Sequence, residues 1–317
     1  MKVFSIIVPV YQNAANLRES LPVYLDFARG LPGFRVEIIC VDDGSTDGSL
    51  EVLLEFQREN SDVIRVVKLT RNFGQYSALM AGLSVAGGDV MGQLTADMQD
   101  PVELFEEMLA RWREGFKIVI GTRTKRHDRF ASRLPSRLFN RLVKKAVDPR
   151  YPREGFDFFI IDREVSQAAL ALNEKNTSLQ LVMLWLGHEF ASVPYVRRRR
   201  EIGKSSWTFW KKIKRAIDVF VTNSYLPIRA VSGLGFTFAF VAFAYILFFL
   251  LRWLVTGSTG VVQGWTSLAV MVTFFSGLIL LALGIIGEYL WRIFDNTKAH
   301  PLFIVDAVFQ SDQHAGS

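Results

Sequence analysis

Cysteine is nearly absent from this 317-residue chain, in which Cys40 stands alone. An internal disulfide is therefore excluded. Because Cys40 lies inside the apolar run Val36–Val41, it reads as a buried, inert thiol in a reduced compartment. The start, MKVFSIIVPVYQ, has no small-residue cleavage site and carries Pro9 inside a short apolar run, so it reads as a first strand and not as a signal peptide. There is no internal repeat. Charge is scarce late in the chain: Ala230–Val255 holds only Arg252, and Thr266–Ile286 holds none. At about 1.5 Å per residue, each segment is long enough to cross a hydrocarbon core of about 30 Å. The short, uncharged link Thr256–Trp265 makes the pair a hairpin. Basic residues lie before the first span and after the second (Arg292, Lys298), which predicts cytoplasmic termini, a cytoplasmic soluble domain and a multi-pass membrane protein.

What is present is a chain that is 50% hydrophobic with a formal net charge of +6. The basic residues gather at Arg123–Arg150 and Arg197–Arg215. That clustering points to a local anionic partner and not to a general nucleic-acid surface. Ahead of the spans, strand and helix patterns alternate. Strands are predicted at Val3–Pro9, Val36–Val41, Val63–Leu69, Asp89–Leu94 and Lys117–Gly121. Helices are predicted at Asn13–Arg29, with Leu17, Leu21, Tyr24, Leu25 and Ala28 on one face, and from an N-cap in Ser45-Thr46-Asp47 to about Asn60, with Leu50, Leu53, Leu54 and Phe56 inward. Two more follow at Gln75–Ala86 and Pro101–Glu114. This is an α/β pattern with a mainly parallel sheet covered on both faces. Two basic amphipathic stretches, Arg129–Val147 and Ser206–Asn223, suit an anionic bilayer surface; the first fits an ordinary solvated helix equally well. Leu302–Val308 reads as a short terminal strand.

The candidate chemistry lies in acidic turns at strand ends, where sheets of this class bind ligands. Gly87–Pro101 is a short apolar strand running out into a turn with Asp97 and Asp100. Asp42-Asp43-Gly44-Ser45 closes an earlier strand in the same way. Carboxylates there can accept from a base or ribose, and glycine lets backbone approach closely. Asp97 and Asp100 can supply hard oxygen ligands to Mg²⁺ or Mn²⁺ bridging a diphosphate. The expected ligand is a nucleotide sugar at a membrane surface.

Five motifs in order carry a resemblance: Ile7-Val8-Pro9-Val10-Tyr11, Val41-Asp42-Asp43-Gly44-Ser45-Thr46-Asp47, Thr70-Arg71-Asn72-Phe73-Gly74-Gln75, Ala96-Asp97-Met98-Gln99-Asp100-Pro101 and Gly287-Glu288-Tyr289-Leu290. With them the chain resembles glycosyltransferase family 2, and more narrowly the polyisoprenyl-phosphate glycosyltransferases. The resemblance implies a GT-A domain over residues 1–204, a juxtamembrane amphipathic helix over 205–228, two transmembrane helices over 229–292 and a cytoplasmic tail over 293–317. It implies inverting transfer of one sugar, UDP-glucose or another UDP-hexose favoured, to undecaprenyl or a similar phosphate, with Mg²⁺ or Mn²⁺ and possible assembly into a homo-tetramer. Pro9, Tyr11, Asp42, Asp43, Gly44 and Arg71 would lie around the nucleotide. Asp97 would be the metal ligand and a catalytic residue, as the second acid of an Asp-X-Asp motif. Asp157 would face the sugar or reacting groups, and Arg123, Arg126, Arg200 and Lys204 would meet the lipid phosphate.

Departures accompany the likeness. Thr95 stands at the first acid of the metal motif, and Asn13 at a usual glutamate. Phe156 replaces a glycine, Phe159 an arginine and Ser206 a lysine. Thr95 removes one charge, which implies weaker or differently shared metal binding, a changed donor, or a non-catalytic relative that binds nucleotide sugar or scaffolds a glycan-modifying complex. A processive synthase of the same fold is disfavoured by the absence of a Gln-X-X-Arg-Trp stretch.

Overall fold

The structure, a computed structural model, describes residues 1–125, 144, 148–152, 155–175, 177–196, 226–256, 265–298 and 300–310. The chain divides into two compact units, Met1–Ile213 with His300–Ser317, and Lys214–Ala299.

The first unit is built on an eight-stranded sheet. Its strands in chain order are β1 (Lys2–Val10), β2 (Phe34–Asp42), β3 (Ile64–Leu69), β4 (Val90–Gln93), β5 (Ile118–Lys125), β6 (Phe158–Asp162), β7 (Phe190–Val196) and β8 (Val305–Phe309). The spatial order is β7-β5-β6-β4-β1-β2-β3-β8. β1 to β5 and β7 run one way, while β6 and β8 run against them. The sheet is mainly parallel, as the alternation of elements predicts. Helices α1 (Ala14–Gly30), α2 (Ser49–Glu59), α3 (Gln75–Val85), α4 (Leu104–Arg113), α5 (Arg163–Leu172) and α6 (Leu179–Trp185) cover it. Two apolar clusters, one on each face, follow from the period-2 alternation of the strands. Phe4, Ile6 and Val8 meet α1 and α4 on one side; Ile7, Ile39 and Val41 meet α3 on the other.

The chain runs β1-β2-β3 toward one edge and then crosses back to lay β4 on the other side of β1. That reversal is the topological switch point at which open α/β sheets bind ligands. It is also physically open. β4 pairs with β1 only from Phe4 to Ile7, whereas β2 follows β1 to Val10. Pro9, which has no N–H to donate, lies in the stretch past the β4 ladder.

Several expectations are corrected. α2 starts later than predicted, with Gly48 at its N-cap in the left-handed region (φ 85°). Asp47 acts from one residue earlier: Oδ1 accepts from the Ser49 N–H (3.1 Å), and Oδ2 accepts from the Ala14 N–H at the start of α1 (3.1 Å). Of the residues expected inward on α2, Leu53 is fully buried, while Leu50, Leu54 and Phe56 pack partly buried against the core and Val52 takes the deeper place. α4 begins at Leu104, because Pro101-Val102-Glu103 form a separate turn. The terminal strand starts at Val305 and caps the β3 edge antiparallel.

The second unit holds α7 (Leu226–Thr256) and α8 (Trp265–Thr297). The Phe238 ring of α7 meets the Phe274 and Phe275 rings of α8 edge-on at 5.3 and 5.8 Å. Among the described residues, one window is long and apolar enough to cross a membrane: Phe274–Asp295, mean hydropathy 1.8, none of it buried. It extends beyond the predicted Thr266–Ile286, because the helix continues past Ile286 with its apolar side chains Leu290, Ile293 and Phe294 exposed. Both basic amphipathic stretches lie outside the described residues, apart from Lys144.

Candidate functional site

Two clusters form at the carboxyl edge of the sheet. The first joins three loops. Asp42 is the last residue of β2 and Asp43 follows it, both almost fully buried. Asp43 Oδ1 accepts from the Phe73 N–H (2.7 Å) and Oδ2 from the Gly74 N–H (2.9 Å), so this carboxylate clamps the loop that opens α3. Asp42 Oδ1 accepts from the Ser45 N–H (3.3 Å). Burial raises the affinity of both carboxyls for their protons, and the backbone N–H groups at Ser45, Phe73 and Gly74 partly offset it. Tyr11 is 45% exposed beside this turn. The β1–α1 loop is tied to it: the Gln12 N–H donates to Ser45 Oγ (3.1 Å) and the Asn13 N–H to Ser49 Oγ (2.9 Å). Arg71 is exposed, with its guanidinium 4.0 Å from the Phe73 ring centroid.

Gly44 permits a close approach within the chain itself. It sits at φ +70°, and a Cβ there would lie 2.7 Å from Arg71 C and Asn72 N. The approach is to the chain's own backbone. Gly44→Ala is therefore expected to destabilise the domain by about 2 kcal/mol or more, from left-handed strain plus backbone overlap. Thermal unfolding checks this: a melting temperature unchanged from wild type would refute the packing argument.

The second cluster gathers around the turn after β4. The Tyr24 hydroxyl of α1 donates to the Thr95 carbonyl (2.7 Å). Burial, with the nearby Asp97 and Asp100 charges, pushes that phenol well above its ordinary value. Met98 holds a left-handed conformation (φ 51°), which turns the chain between the two acids. Asp100 is buried, and its Oδ1 accepts from the Tyr195 hydroxyl of β7 (2.7 Å). The same hydroxyl accepts from Arg123 Nε on β5 (3.5 Å), and Arg123 NH2 donates to Asp157 Oδ2 (2.5 Å). The Arg123 side chain is 11% exposed and that of Asp157 48%. Burial works against the Arg123 charge, but Asp157 and Tyr195 outweigh it and bind the proton more firmly still.

The predicted Asp97, Asp100, Arg123 and Asp157 are thus drawn to one edge of the sheet, three of them joined through Tyr195. The sequence reading missed Tyr195. The only local signal for it is the alternation of apolar residues in FASVPYV, which Pro194 interrupts. Arg126, Arg200 and Lys204 lie outside the described residues.

A divalent metal makes modest demands here, since Mg²⁺ is commonly held by one or two carboxylates plus substrate phosphates. Among the described residues, no group of three or more His, Cys, Asp or Glu could hold a metal. Thr95 Oγ1 is buried with no hydrogen-bond partner among them, two residues from Asp97. One carboxylate beside a neutral oxygen fits a metal shared with a diphosphate and does not fit a self-sufficient metal cage.

A family model described as glycosyl transferase family 2 matches residues 5–170. The chain is 34% identical over 302 residues to an uncharacterized glycosyltransferase of Synechocystis sp., covering 95% of this chain and 94% of that protein. It is 31% identical over 305 residues to a bactoprenol glucosyl transferase of Shigella phage SfV, covering 95% and 97%. It is 29% identical over 318 residues to an undecaprenyl-phosphate 4-deoxy-4-formamido-L-arabinose transferase of Klebsiella pneumoniae, covering 99% and 96%. With its acidic turns at the switch point and this likeness along nearly its whole length, the chain belongs to glycosyltransferase family 2 and is a glycosyltransferase.

Proposed function

We propose that the protein transfers one sugar, with inversion, from a nucleotide sugar to a polyisoprenyl phosphate at the cytoplasmic membrane face. UDP-glucose or another UDP-hexose is the favoured donor. The observation that carries this reading is the chain Asp100–Tyr195–Arg123–Asp157, which sets a buried guanidinium beside the acidic turn. Full-length likeness to a bactoprenol glucosyl transferase supports the lipid acceptor.

An acceptor phosphate oxygen attacks the anomeric carbon as that carbon's bond to the donor diphosphate breaks, and the nucleoside diphosphate departs with the bonding pair. The phosphate is already anionic, so positioning and charge neutralisation do most of the work. Arg123 pairs the acceptor phosphate: a guanidinium has five N–H donors, more than Tyr195 and Asp157 take. Asp157 faces the sugar or acceptor. Asp42 meets the nucleoside with Pro9 and Tyr11, while Asp43, with both oxygens on backbone N–H groups, holds the Arg71–Gly74 loop in place. Asp97 would hold Mg²⁺ or Mn²⁺, which would supply charge stabilisation to the leaving diphosphate. Arg126, Arg200 and Lys204 complete the lipid-phosphate side. A membrane hairpin of α7 and α8 and assembly into a homo-oligomer belong to the same reading.

Membranes carrying the protein, incubated with labelled UDP-sugars or GDP-mannose and undecaprenyl phosphate, are expected to yield a lipid-linked monosaccharide. EDTA should suppress the product, and Mg²⁺ or Mn²⁺ should restore it. If no donor yields a lipid-linked sugar, the reading fails.

A further inference from the structure

We infer that Tyr195 is a positioning residue whose hydroxyl aims the Arg123 guanidinium at the acceptor phosphate and couples it to the acidic turn. The inference rests on the assignment of Arg123 to that phosphate. Four observations carry it. First, Tyr195 and Arg123 are direct partners across the β5–β7 ladder, so the backbone fixes their separation. Second, the Tyr195 ring is held independently of its hydroxyl: it packs edge-on to Phe158 with centroids 5.8 Å apart. Gly121 leaves the room for this, since a Cβ there would lie 3.0 Å from both rings. Third, the hydroxyl has a single proton, and it goes to Asp100 at 2.7 Å. The oxygen lone pairs are left to face Arg123 Nε at 3.5 Å. Fourth, Asp100 and Tyr195 are both buried, so the chain from carboxylate through phenol to guanidinium runs where water screens it least. Burial and the Asp100 charge raise the phenol above its ordinary value, keeping the proton in place at working pH.

A phenylalanine would pack as well as this tyrosine. What the hydroxyl adds is direction. With Nε held by Tyr195 and NH2 by Asp157, the guanidinium plane is pinned at two points and its remaining donors are pre-aimed. Without the hydroxyl, Arg123 keeps its charge and its Asp157 partner but can swing about that single contact.

The test is steady-state transfer by the full-length protein in membranes, varying nucleotide sugar and undecaprenyl phosphate separately, for Tyr195→Phe, Arg123→Ala and the double variant. Tyr195→Phe is expected to raise the acceptor KM about tenfold, to leave the donor KM within about twofold and to unfold at a somewhat lower temperature, since buried Asp100 loses a donor. The double variant should be no worse than Arg123→Ala, because the hydroxyl acts through the arginine. Losses that multiply in the double variant, or equal shifts in both KM values, would overturn the inference. So would an unchanged acceptor KM in Tyr195→Phe where Arg123→Ala raises it. Should Arg123→Ala itself leave the acceptor KM unchanged, the assignment of Arg123 falls first and takes the inference with it. If Tyr195→Phe does not fold, Asp100→Ala cuts the same chain from its other end and should give the same selective rise; a proportional change in both KM values there would equally overturn it.

Discussion

Asp97→Asn is expected to lower transfer about 10²- to 10³-fold while leaving the fold intact, the size of loss typical when a group stabilising transition-state charge is removed. The size follows from what surrounds Asp97. Thr95 contributes only a neutral hydroxyl, buried and without a hydrogen-bond partner among the described residues. Asp100 is buried against Tyr195. Asp97 is thus the half-buried carboxylate of the turn, and the proposed function assigns it the metal. Asparagine preserves its shape. The turn is set by other means, the left-handed Met98 and the bond from Tyr24 to the Thr95 carbonyl, so no large stability loss is expected. The deciding measurement is transfer rate against Mn²⁺ concentration. The variant should need more metal and still reach a lower plateau. A variant with wild-type rates and wild-type metal response would remove Asp97 from the chemistry.

How far the sequence discloses such a site depends on whether the information is local. β1, β2 and β3 are runs rich in β-branched residues, and α1 buries the five residues that its spacing places on one face, with Ser20. The acidic turns are legible for the same reason, since Asp42 directly follows an apolar run and Asp97 stands a few residues past a short one. The order of the sheet is not local. β6, the five-residue FFIID, inserts antiparallel between β4 and β5, and nothing in its composition encodes that neighbour pair. Across the stretch from Phe156 to Val196, with β6, α5, α6 and β7, local pattern predicts no element, although the resemblance marks Asp157. Tyr195, in the same stretch, goes unmarked; it lies 95 residues from Asp100 and 72 from Arg123. Asp43 shows a different limit. Its motif marks the acidic turn, but its clamp on the N–H groups of Phe73 and Gly74 rests on partners that only the folded loop brings near.

Asp157→Asn is expected to cut kcat about 100-fold without weakening acceptor binding, and that combination separates two roles the geometry allows. Asp157 lies 2.5 Å from Arg123, so it could act merely by holding the guanidinium. Its own side chain, however, is half-exposed where that of Arg123 is largely covered. A carboxylate left open to solvent at a strand end can touch sugar or acceptor directly. Asparagine keeps a hydrogen-bond acceptor for Arg123 but removes the negative charge opposing an incoming phosphate. If Asp157 works on the reacting groups, kcat falls while the acceptor KM holds steady or drops, because no carboxylate at this contact now competes with the phosphate for the guanidinium. If its whole role is to hold Arg123, the acceptor KM rises and kcat at saturation stays near wild type. The two outcomes run in opposite directions in the same kinetic experiment, so a raised acceptor KM with normal kcat would move Asp157 from the reacting groups to the support of Arg123.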